Sequence, residues 1–165
     1  AGSIEGAVNG IVAAQFQHHI VFSGYHVETN GNRYAHLVLR GKTGSPNYGD
    51  EHLREAAALL AKNKIQNPAI LIDASHDNCC INGVKDCTRQ GAVIKEVLSA
   101  IEVDPKLKKL IKGFMVESFI KTGNQKVEAS TVESIDRTGL SITDPCLGWE
   151  ETEKLIRDMM KIYAR

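Results

Sequence analysis

Residues 69 to 73 read Ala69-Ile70-Leu71-Ile72-Asp73, an unbroken apolar run that ends in a carboxylate. A short apolar run with β-branched residues and a turn residue at its boundary predicts a strand, and Pro68 supplies that boundary. A polar loop follows, and then a helix whose apolar residues repeat at helical spacing. The middle of the chain is therefore a strand followed by a helix. The apolar residues of this helix are Val93, Ile94, Val97, Leu98 and Ile101.

The same order of elements extends in both directions along the chain. Further apolar runs predict strands, and apolar residues spaced three and four apart predict helices, with Ser3 and Asp50 available as N-caps. The dipeptide Asn30-Gly31 is typical of a hairpin turn and favours a β excursion between the first two strands. The predicted strands are Ile20–Phe22, Tyr34–Leu39, Ala69–Asp73 and Gly113–Val116, and the predicted helices are Ser3–Gln15, Leu53–Leu60, Val93–Ile101 and one from about Trp149 that carries Leu155, Ile156, Met159, Met160 and Tyr163.

Strands that alternate with helices predict an α/β fold of parallel strands with crossover helices, wound as an open sheet or as a barrel. A complete (β/α)8 barrel needs about 250 residues. This chain has 165 residues, begins at Ala1 without Met, and offers about four candidate strands. If the fold is a barrel, residues 1–165 are a single partial domain, the C-terminal half of a (β/α)8 TIM barrel. Residues 118–148 carry little regular pattern, and compact domains keep such long loops mainly for function or leave them disordered.

The charge balance excludes several classes of function. Lys and Arg together number 20, as do Asp and Glu, so the net charge is zero. Broad binding of nucleic acid or of an anionic membrane needs a field of positive charge, which this chain lacks. The lysines of the Lys106 to Lys112 run are expected on a solvated face. No apolar run is long enough to span a membrane, and no signal peptide is recognised.

Four cysteines, at positions 79, 80, 87 and 146, show no paired metal-binding spacing. Their number and spacing favour free thiols in a reducing compartment, and we expect the protein in the cytoplasm. Cys79, Cys80 and Cys87 precede or enter a predicted helix and are interpreted as small residues of the core.

Polar residues stand at the C-terminal ends of the predicted strands. Arg40 ends one run, Asp73 with His76 follows the next, and Glu117 follows a third. In α/β folds this edge hosts the functional site, and parallel strands bring such ends onto one rim. Arg40 could pair with a neighbouring carboxylate or bind a carboxylate or phosphate ligand.

His76 taken alone is more typical of a hydrogen-bonded structural histidine. Together with Glu117 and Asp144 it would supply a mixed ligand set suited to Mn²⁺, Fe²⁺ or Zn²⁺, although the spacing alone does not establish a site. Because lysines lie at no predicted strand end, Schiff-base chemistry is less favoured than metal or electrostatic catalysis.

Four blocks spread over nearly the whole chain carry a family resemblance. They are Leu39-Arg40-Gly41 with Pro46-Asn47-Tyr48, then Ile72-Asp73-Ala74-Ser75-His76-Asp77-Asn78, then Gly113-Phe114-Met115-Val116-Glu117-Ser118 with Gly123-Asn124-Gln125, and finally Ser141-Ile142-Thr143-Asp144 with Gly148-Trp149-Glu150. In these blocks and in their order, the chain resembles the type I 3-deoxy-D-arabino-heptulosonate 7-phosphate (DAHP) synthases.

The resemblance implies a (β/α)8 barrel enzyme that condenses phosphoenolpyruvate with erythrose 4-phosphate, the entry step to the shikimate pathway and aromatic amino acids. Position by position, His76, Glu117 and Asp144 resemble three ligands of a catalytic divalent metal. Arg40 resembles a phosphoenolpyruvate-binding arginine. The family resemblance thus implies the same strand-end residues that the rim argument selects.

The chain also departs from this family. Family members are about twice as long, and their first half supplies a cysteine metal ligand, a Lys-Pro-Arg-Thr motif for the sugar phosphate, and further phosphate-binding residues. None of these is present here. We therefore expect the chain alone to bind metal weakly and to be inactive. The segment from Ser23 to Asn32 also looks shorter than the family's hairpin region associated with feedback inhibition.

Two alternatives stay open at this point. The chain could be a non-catalytic half-barrel subunit that pairs with a separate N-terminal half or forms a homo-oligomer, because open edge strands favour pairing. It could also be a relative of the octulosonate-phosphate synthases, which perform the same condensation on another sugar. The Gly148-Trp149-Glu150 ending disfavours that second alternative.

Overall fold

The computed structural model describes residues 3–128 and 132–163. Three 3-10 turns, at His76–Cys79, Cys87–Arg89 and Val132–Ser134, accompany the longer elements. The helices are α1 (Ile4–Gln15), α2 (Asp50–Lys62), α3 (Gln90–Val103), α4 (Pro105–Leu110) and α5 (Trp149–Tyr163), and the strands are β1 (His19–Phe22), β2 (Tyr25–Glu28), β3 (Leu37–Leu39), β4 (Ile70–Asp73), β5 (Cys80–Ile81), β6 (Val84–Lys85) and β7 (Ile111–Met115).

A parallel sheet of three strands lies at the centre of the fold, in the order β3-β4-β7. Leu37 pairs with Ile70, and Ile70 pairs with Ile111, with all three strands running in one direction. Helix α2 connects β3 to β4, and helices α3 and α4 connect β4 to β7. Each parallel connection therefore contains a helix, which confirms the predicted α/β class.

The sheet and the helices share one apolar core. Burial of a large aliphatic side chain contributes about 1.5–3 kcal/mol, so this core holds the strands in fixed relative positions. The fixed strands in turn fix the residues that follow them. The most completely buried large members are Leu37, Leu39, Ile70 and Ile72 from the sheet, and Val8, Leu53, Leu60, Val93, Ile94, Val97 and Leu107 from the helices.

Of the two predicted N-cap residues, the structure confirms Ser3 and corrects Asp50. Ser3 caps α1 as predicted, because its hydroxyl oxygen accepts a 3.0 Å hydrogen bond from the Gly6 amide. Asp50, by contrast, is the first residue of α2, and the cap position is Gly49. Asp50 instead pairs with Arg54 one turn later, at 2.8 Å, and its negative charge lies at the positive end of the helix.

The predicted strand at Ile20–Phe22 does not join the parallel sheet. It lies in β1, which pairs with β2 in a separate antiparallel hairpin. The β excursion itself is confirmed, but its turn is Ser23-Gly24, and Asn30-Gly31 lies beyond the hairpin. Most residues of this hairpin are exposed, so its sequence has no alternation of buried and exposed residues that would indicate where it packs.

Residues 118–148 form the long connection that the sequence predicts, with little regular structure. Isolated bridges place Ser118 beside Leu147 and Asn124 beside Ser141, both in parallel orientation. Because Ser118 follows β7, the segment from Ser141 to Leu147 runs beside the continuation of that strand. This pairing brings Asp144 to the edge of the sheet where Glu117 lies. Residues 129–131 fall outside the described residues.

Helix α5 buries only part of its predicted apolar face. Leu155 and Met159 pack against the core, whereas Ile156 is 49% exposed and Met160 is 65% exposed. The side chain of Tyr163 lies outside the described part of the structure. An amphipathic helix with an uncovered apolar stripe is typical of a surface that meets another part of a protein.

Other expectations from composition are confirmed. All four cysteines are free and buried. Leu107 is buried while Lys106, Lys108 and Lys109 are exposed. Among residues 3–128 and 132–163, no helix has the length and apolar character needed to cross a membrane.

Candidate metal centre

Three of the predicted site residues meet at the C-terminal edge of the parallel sheet. His76 follows β4, Glu117 follows β7, and Asp144 lies on the long connection. His76 Nε2 is 3.7 Å from Glu117 Oε1 and 3.6 Å from Asp144 Oδ2. One ligand atom from each residue lies within 4.8 Å of the other two. In the described part of the chain, no other group of three His, Cys, Asp or Glu side chains meets this distance.

His76 is held in place by a carboxylate behind it. Its Nδ1 lies 2.7 Å from Asp73 Oδ2, and Asp73 is almost fully buried. Because a carboxylate only accepts, Nδ1 is the donor, and Nε2 is left to face Glu117 and Asp144. The His76 backbone has φ of 48°, a left-handed conformation that histidine adopts more readily than most residues. Such outliers cluster at functional sites.

The backbone of Glu117 is clamped by one buried side chain. Gln90 is fully buried at the start of α3. Its Oε1 accepts a 2.8 Å hydrogen bond from the Glu117 amide, and its Nε2 donates a 3.0 Å hydrogen bond to the Glu117 carbonyl. The Leu147 amide donates a further 3.0 Å hydrogen bond to the same carbonyl, so the Glu117 backbone is held by a side chain on one side and by the long connection on the other.

Asp144 is fixed by contacts to its side chain and its backbone. Lys85 donates a hydrogen bond to Asp144 Oδ1, which leaves Oδ2 on the side of His76. The Lys85 ammonium holds the pKa of the Asp144 carboxyl below its ordinary value, with smaller contributions from His76 and Arg40, while burial opposes the shift. The Ser141 hydroxyl donates a 2.8 Å hydrogen bond to the Asp144 carbonyl.

Arg40 leaves the end of β3 beside this cluster. A buried amide, Asn78, joins the ends of β3 and β4, because its Nδ2 donates to the carbonyls of Leu39 and Asp73 at 2.9 and 2.7 Å. Gly41 has φ of 81°, and a Cβ there would lie 2.4 Å from the Asp77 Cβ. Only glycine lets the chain turn this closely past the loop of His76.

The donor set fits a divalent cation. Ligands about 2.1 Å from a common ion lie roughly 3 to 3.5 Å apart, close to the separations measured from His76 Nε2. One imidazole nitrogen and two carboxylates suit Mn²⁺, Fe²⁺ or Zn²⁺. A histidine ligand whose other nitrogen donates to a carboxylate is the usual arrangement in metal sites, and Asp73 supplies that carboxylate here.

Sequence reasoning missed three residues that fix the site. Lys85 lies in what was read as a polar loop; the dipeptide Asn82-Gly83, typical of a hairpin turn, could have predicted the β5–β6 hairpin that presents it. Gln90 is a polar residue in line with the apolar face that includes Val93 and Val97, which signals a buried partner. Asn78 carried no separate signal.

Convergent polar groups at the carboxyl ends of parallel strands mark the usual place of the active site in α/β enzymes, in barrels and open sheets alike. Residues 4–157 match the profile of the DAHP synthetase I family, and the chain belongs to that family. The match covers nearly the whole chain.

Related proteins extend over more residues than this chain. It is 35% identical over 163 residues to a Tyr-sensitive phospho-2-dehydro-3-deoxyheptonate aldolase of Enterobacter agglomerans, covering 96% of this chain and 71% of that protein. It is also 35% identical over 132 residues to the Trp-sensitive aldolase of Escherichia coli K12, covering 80% of this chain and 34% of that protein. The chain thus spans from about a third to about two-thirds of the length of these two relatives.

A solved structure supports the same fold. The structure of phospho-2-dehydro-3-deoxyheptonate aldolase from Francisella tularensis SCHU S4 matches with a TM-score of 0.80 and 30% identity. The match covers 97% of this chain and 45% of that one. The three-stranded sheet and its helices are therefore part of a (β/α)8 barrel, as predicted. All of these relatives are named heptonate aldolases, and none is named an octulosonate-phosphate synthase.

Proposed function

We propose that this chain supplies the metal-binding and phosphoenolpyruvate-binding part of a 3-deoxy-7-phosphoheptulonate synthase. The enzyme would condense phosphoenolpyruvate with D-erythrose 4-phosphate in the first step of the shikimate pathway. One observation carries the proposal: His76, Glu117 and Asp144, separated by up to 68 positions in the sequence, converge on one point in a member of this family. The names of the relatives support the reaction.

Three of the site residues would bind a metal ion, and Arg40 would bind an anionic substrate. His76 Nε2 and one oxygen each from Glu117 and Asp144 would hold the ion, and Asp73 would keep the imidazole oriented. A bound divalent ion supplies positive charge that polarises an aldehyde oxygen. Arg40 would bind a carboxylate or phosphate of phosphoenolpyruvate with its planar fork of donors. An enzyme that holds the two substrates together lowers the entropic part of the activation free energy of the condensation.

We further propose that residues 1–165 are a partial domain, the C-terminal half of the barrel. Strand β3 is paired on one side only, with β4, among the described residues. A cavity of about 510 Å³ lies beside β3, lined by the apolar Ile4, Ala7, Leu37 and Leu39 and by polar residues of α2 and of the segment after β3. An N-terminal half would cover this edge, and pairing with a second copy is the alternative. Sedimentation separates the two, because self-pairing requires a dimer at high concentration of the chain alone.

Four free thiols support a reducing compartment, and we place the protein in the cytoplasm. The metal is proposed to be Mn²⁺, Fe²⁺ or Zn²⁺, whose ligand preferences all accept this donor set.

The activity test follows the loss of phosphoenolpyruvate absorbance with Mn²⁺ and erythrose 4-phosphate present. We expect no turnover by the chain alone, and turnover after the N-terminal half of the Francisella tularensis relative is added. The His76→Ala variant is the control and should abolish that turnover. Steady turnover by the pure chain would overturn the expectation that it is inactive, and turnover unaffected by His76→Ala would overturn the proposed site.

A further inference from the structure

A separate cavity lies at the end of the parallel sheet opposite the metal cluster. Its volume is about 630 Å³, and its lining includes Tyr34 and His36 before β3, and Asn67 before β4. Lys112, the second residue of β7, belongs to the same lining. Because β4 has four residues that rise about 3.3 Å each, roughly 13 Å of strand separates this cavity from the carboxyl edge of the sheet. The cavity is therefore distinct from the proposed metal and substrate site.

The lining of this cavity is cationic. Three lysines contribute to it, Lys106, Lys109 and Lys112. Among residues 3–128 and 132–163, no Asp or Glu lines the cavity, although the net charge of the chain is zero. None of the three lysines makes an ion pair within 4.0 Å in this described part of the chain. Cations that share one concave surface without a protein partner raise the local concentration of anions.

Helix α4 is anchored by its other side chains, so the positions of its lysines are set. Asp104 Oδ1 accepts hydrogen bonds from the amides of Lys106 and Leu107, at 2.9 and 3.3 Å. Asp104 also pairs with Arg54 of α2 at 2.9 Å, and Leu107 is buried in the core. Lys106 and Lys109 are three residues apart, so they lie on one side of the helix, and both are exposed. Like charges at this spacing repel, and a bound anion would remove that repulsion.

Hydrogen bonds within the preceding loops fix the opposite wall. Asn67 Nδ2 donates a 2.9 Å hydrogen bond to the Arg33 carbonyl, which joins the segments that lead into β3 and β4. His36 Nδ1 lies 3.2 Å from the Tyr34 carbonyl, and because a carbonyl only accepts, the imidazole is the donor. Both walls are therefore held by contacts of the protein itself.

An exposed aromatic ring completes the lining. Tyr34 is 63% exposed, and the Arg33 guanidinium carbon lies 4.9 Å from the centre of its ring. This cation–π contact orients the ring and places a further positive charge beside the cavity. An aromatic face next to cationic side chains is a surface on which a nucleobase can stack.

We propose that this cavity at the amino edge of the sheet is a binding site for an oligophosphate, a chain of two or three phosphoryl groups. The ammonium groups of Lys106, Lys109 and Lys112 donate to the phosphoryl oxygens. Three lysines are too few for the broad positive field that nucleic acid binding needs, so a small polyanion is the ligand. Such an anion offers several acceptor oxygens and several negative charges to a lining that has no carboxylate of its own. The proposal does not depend on the proposed function.

The test is calorimetric titration of the whole 165-residue chain with inorganic triphosphate, in the absence of metal. Lys109→Met and Lys112→Met remove an ammonium group and keep most of the apolar stem, and Lys106→Met replaces either one if it does not fold. Lys108→Met is the matched control, because Lys108 is exposed on the same helix and does not line the cavity. Arg40→Met reports binding at the carboxyl edge instead. Thermal melts followed by circular dichroism check that each variant folds.

We expect saturable binding of triphosphate, weakened about tenfold by each cavity substitution, because each removes a hydrogen bond between charged groups. Lys108→Met and Arg40→Met should bind like the unmodified chain. Triphosphate should also raise the melting temperature of the unmodified chain, because only the folded state brings the lysines together. Absence of saturable binding, equal weakening by Lys108→Met, or weakening by Arg40→Met in place of the cavity variants would overturn the proposal.

Titration with ATP distinguishes the two sources of an oligophosphate. If ATP binds more tightly than triphosphate and Tyr34→Ala removes the difference, the ligand is a nucleoside polyphosphate whose base stacks on Tyr34. If ATP and triphosphate bind equally and Tyr34→Ala changes neither affinity, the ligand is an inorganic oligophosphate. Both results support the site, whereas binding of ATP without binding of triphosphate would overturn the role of the lysines.

Discussion

At the scale of single residues, the site depends on side chains that hold other side chains. Asp73 uses both carboxylate oxygens, since Oδ2 accepts from His76 and Oδ1 accepts a 2.9 Å hydrogen bond from the Ser75 amide. Lys85 and Gln90 act in the same way on Asp144 and Glu117. Each candidate ligand is therefore held by a further side chain, and removing that side chain should alter the site without removing a ligand.

Asp73→Asn is predicted to weaken Mn²⁺ binding by about 10- to 100-fold, the range typical for loss of a carboxylate behind a histidine ligand. The asparagine keeps the shape of the side chain but loses the charge that fixes the Nδ1 proton of His76. Electron paramagnetic resonance of free Mn²⁺ measures the affinity directly. Asp158→Asn, a change of a half-buried carboxylate on α5 that pairs with Lys161 outside the cluster, is the matched control. Equal affinities in the two variants would contradict the role of Asp73.

At the scale of elements, the sequence predicts the buried strands together with their place in the sheet, whereas for the exposed β1 it predicts a strand but not the hairpin to which it belongs. Strands β4 and β7 follow from apolar runs, because a strand inside a parallel sheet needs apolar residues on both faces. The hairpin β1–β2 has mostly exposed residues, so its pattern carried no sign of where it packs. Asp144 lies on a connection without periodic pattern; its residue type suggested a possible ligand, and only the family resemblance gave it that role. The β-bridges Ser118–Leu147 and Asn124–Ser141 bring Asp144 to the site.

The start of helix α3 is predicted to control the geometry at Glu117. Gln90→Leu should lower the stability of the chain by about 1–3 kcal/mol, because the Glu117 amide loses its partner and the Glu117 carbonyl keeps only the Leu147 amide. It should also weaken Mn²⁺ binding. Val97→Ala is the control, since it destabilises the same helix by creating a cavity without touching the site. If both variants bind Mn²⁺ equally when folded, Gln90 has a structural role only.

The long connection is closed by an acid-sensitive contact. Lys121 donates to Asp136 at 2.5 Å, and Lys121 together with Thr138 lowers the pKa of the Asp136 carboxyl from 3.8 to about 2. A carboxyl whose pKa is lower in the folded state stabilises that state above the unfolded pKa. This contribution is fully present above about pH 4 and is lost as the pH falls toward about 2. Melting temperatures of Asp136→Asn should therefore differ from those of the unmodified chain near neutral pH and converge with them in acid. A difference in melting temperature that stays constant from neutral pH into acid would contradict the lowered pKa of the Asp136 carboxyl.

At the scale of the whole molecule, one parallel sheet explains why distant residues form one site. Arg40, His76 and Glu117 each follow a different strand of the order β3-β4-β7, so their distances are set by the spacing of the strands. The same sheet leaves the far edge of β3 unpaired among the described residues, beside a cavity with both apolar and polar lining residues. The molecule thus combines an assembled cluster of ligands with a sheet edge that a further strand could cover.

The most direct test of the metal centre is the stoichiometry and affinity of Mn²⁺ binding by the 165-residue chain. One ion per chain is predicted, with binding abolished or strongly weakened in each of His76→Ala, Glu117→Gln and Asp144→Asn. His18→Ala, a change of an exposed histidine outside the cluster, should bind as the unmodified chain does. Absence of Mn²⁺ binding, or binding that survives all three substitutions, would contradict the assignment of this cluster as the metal centre.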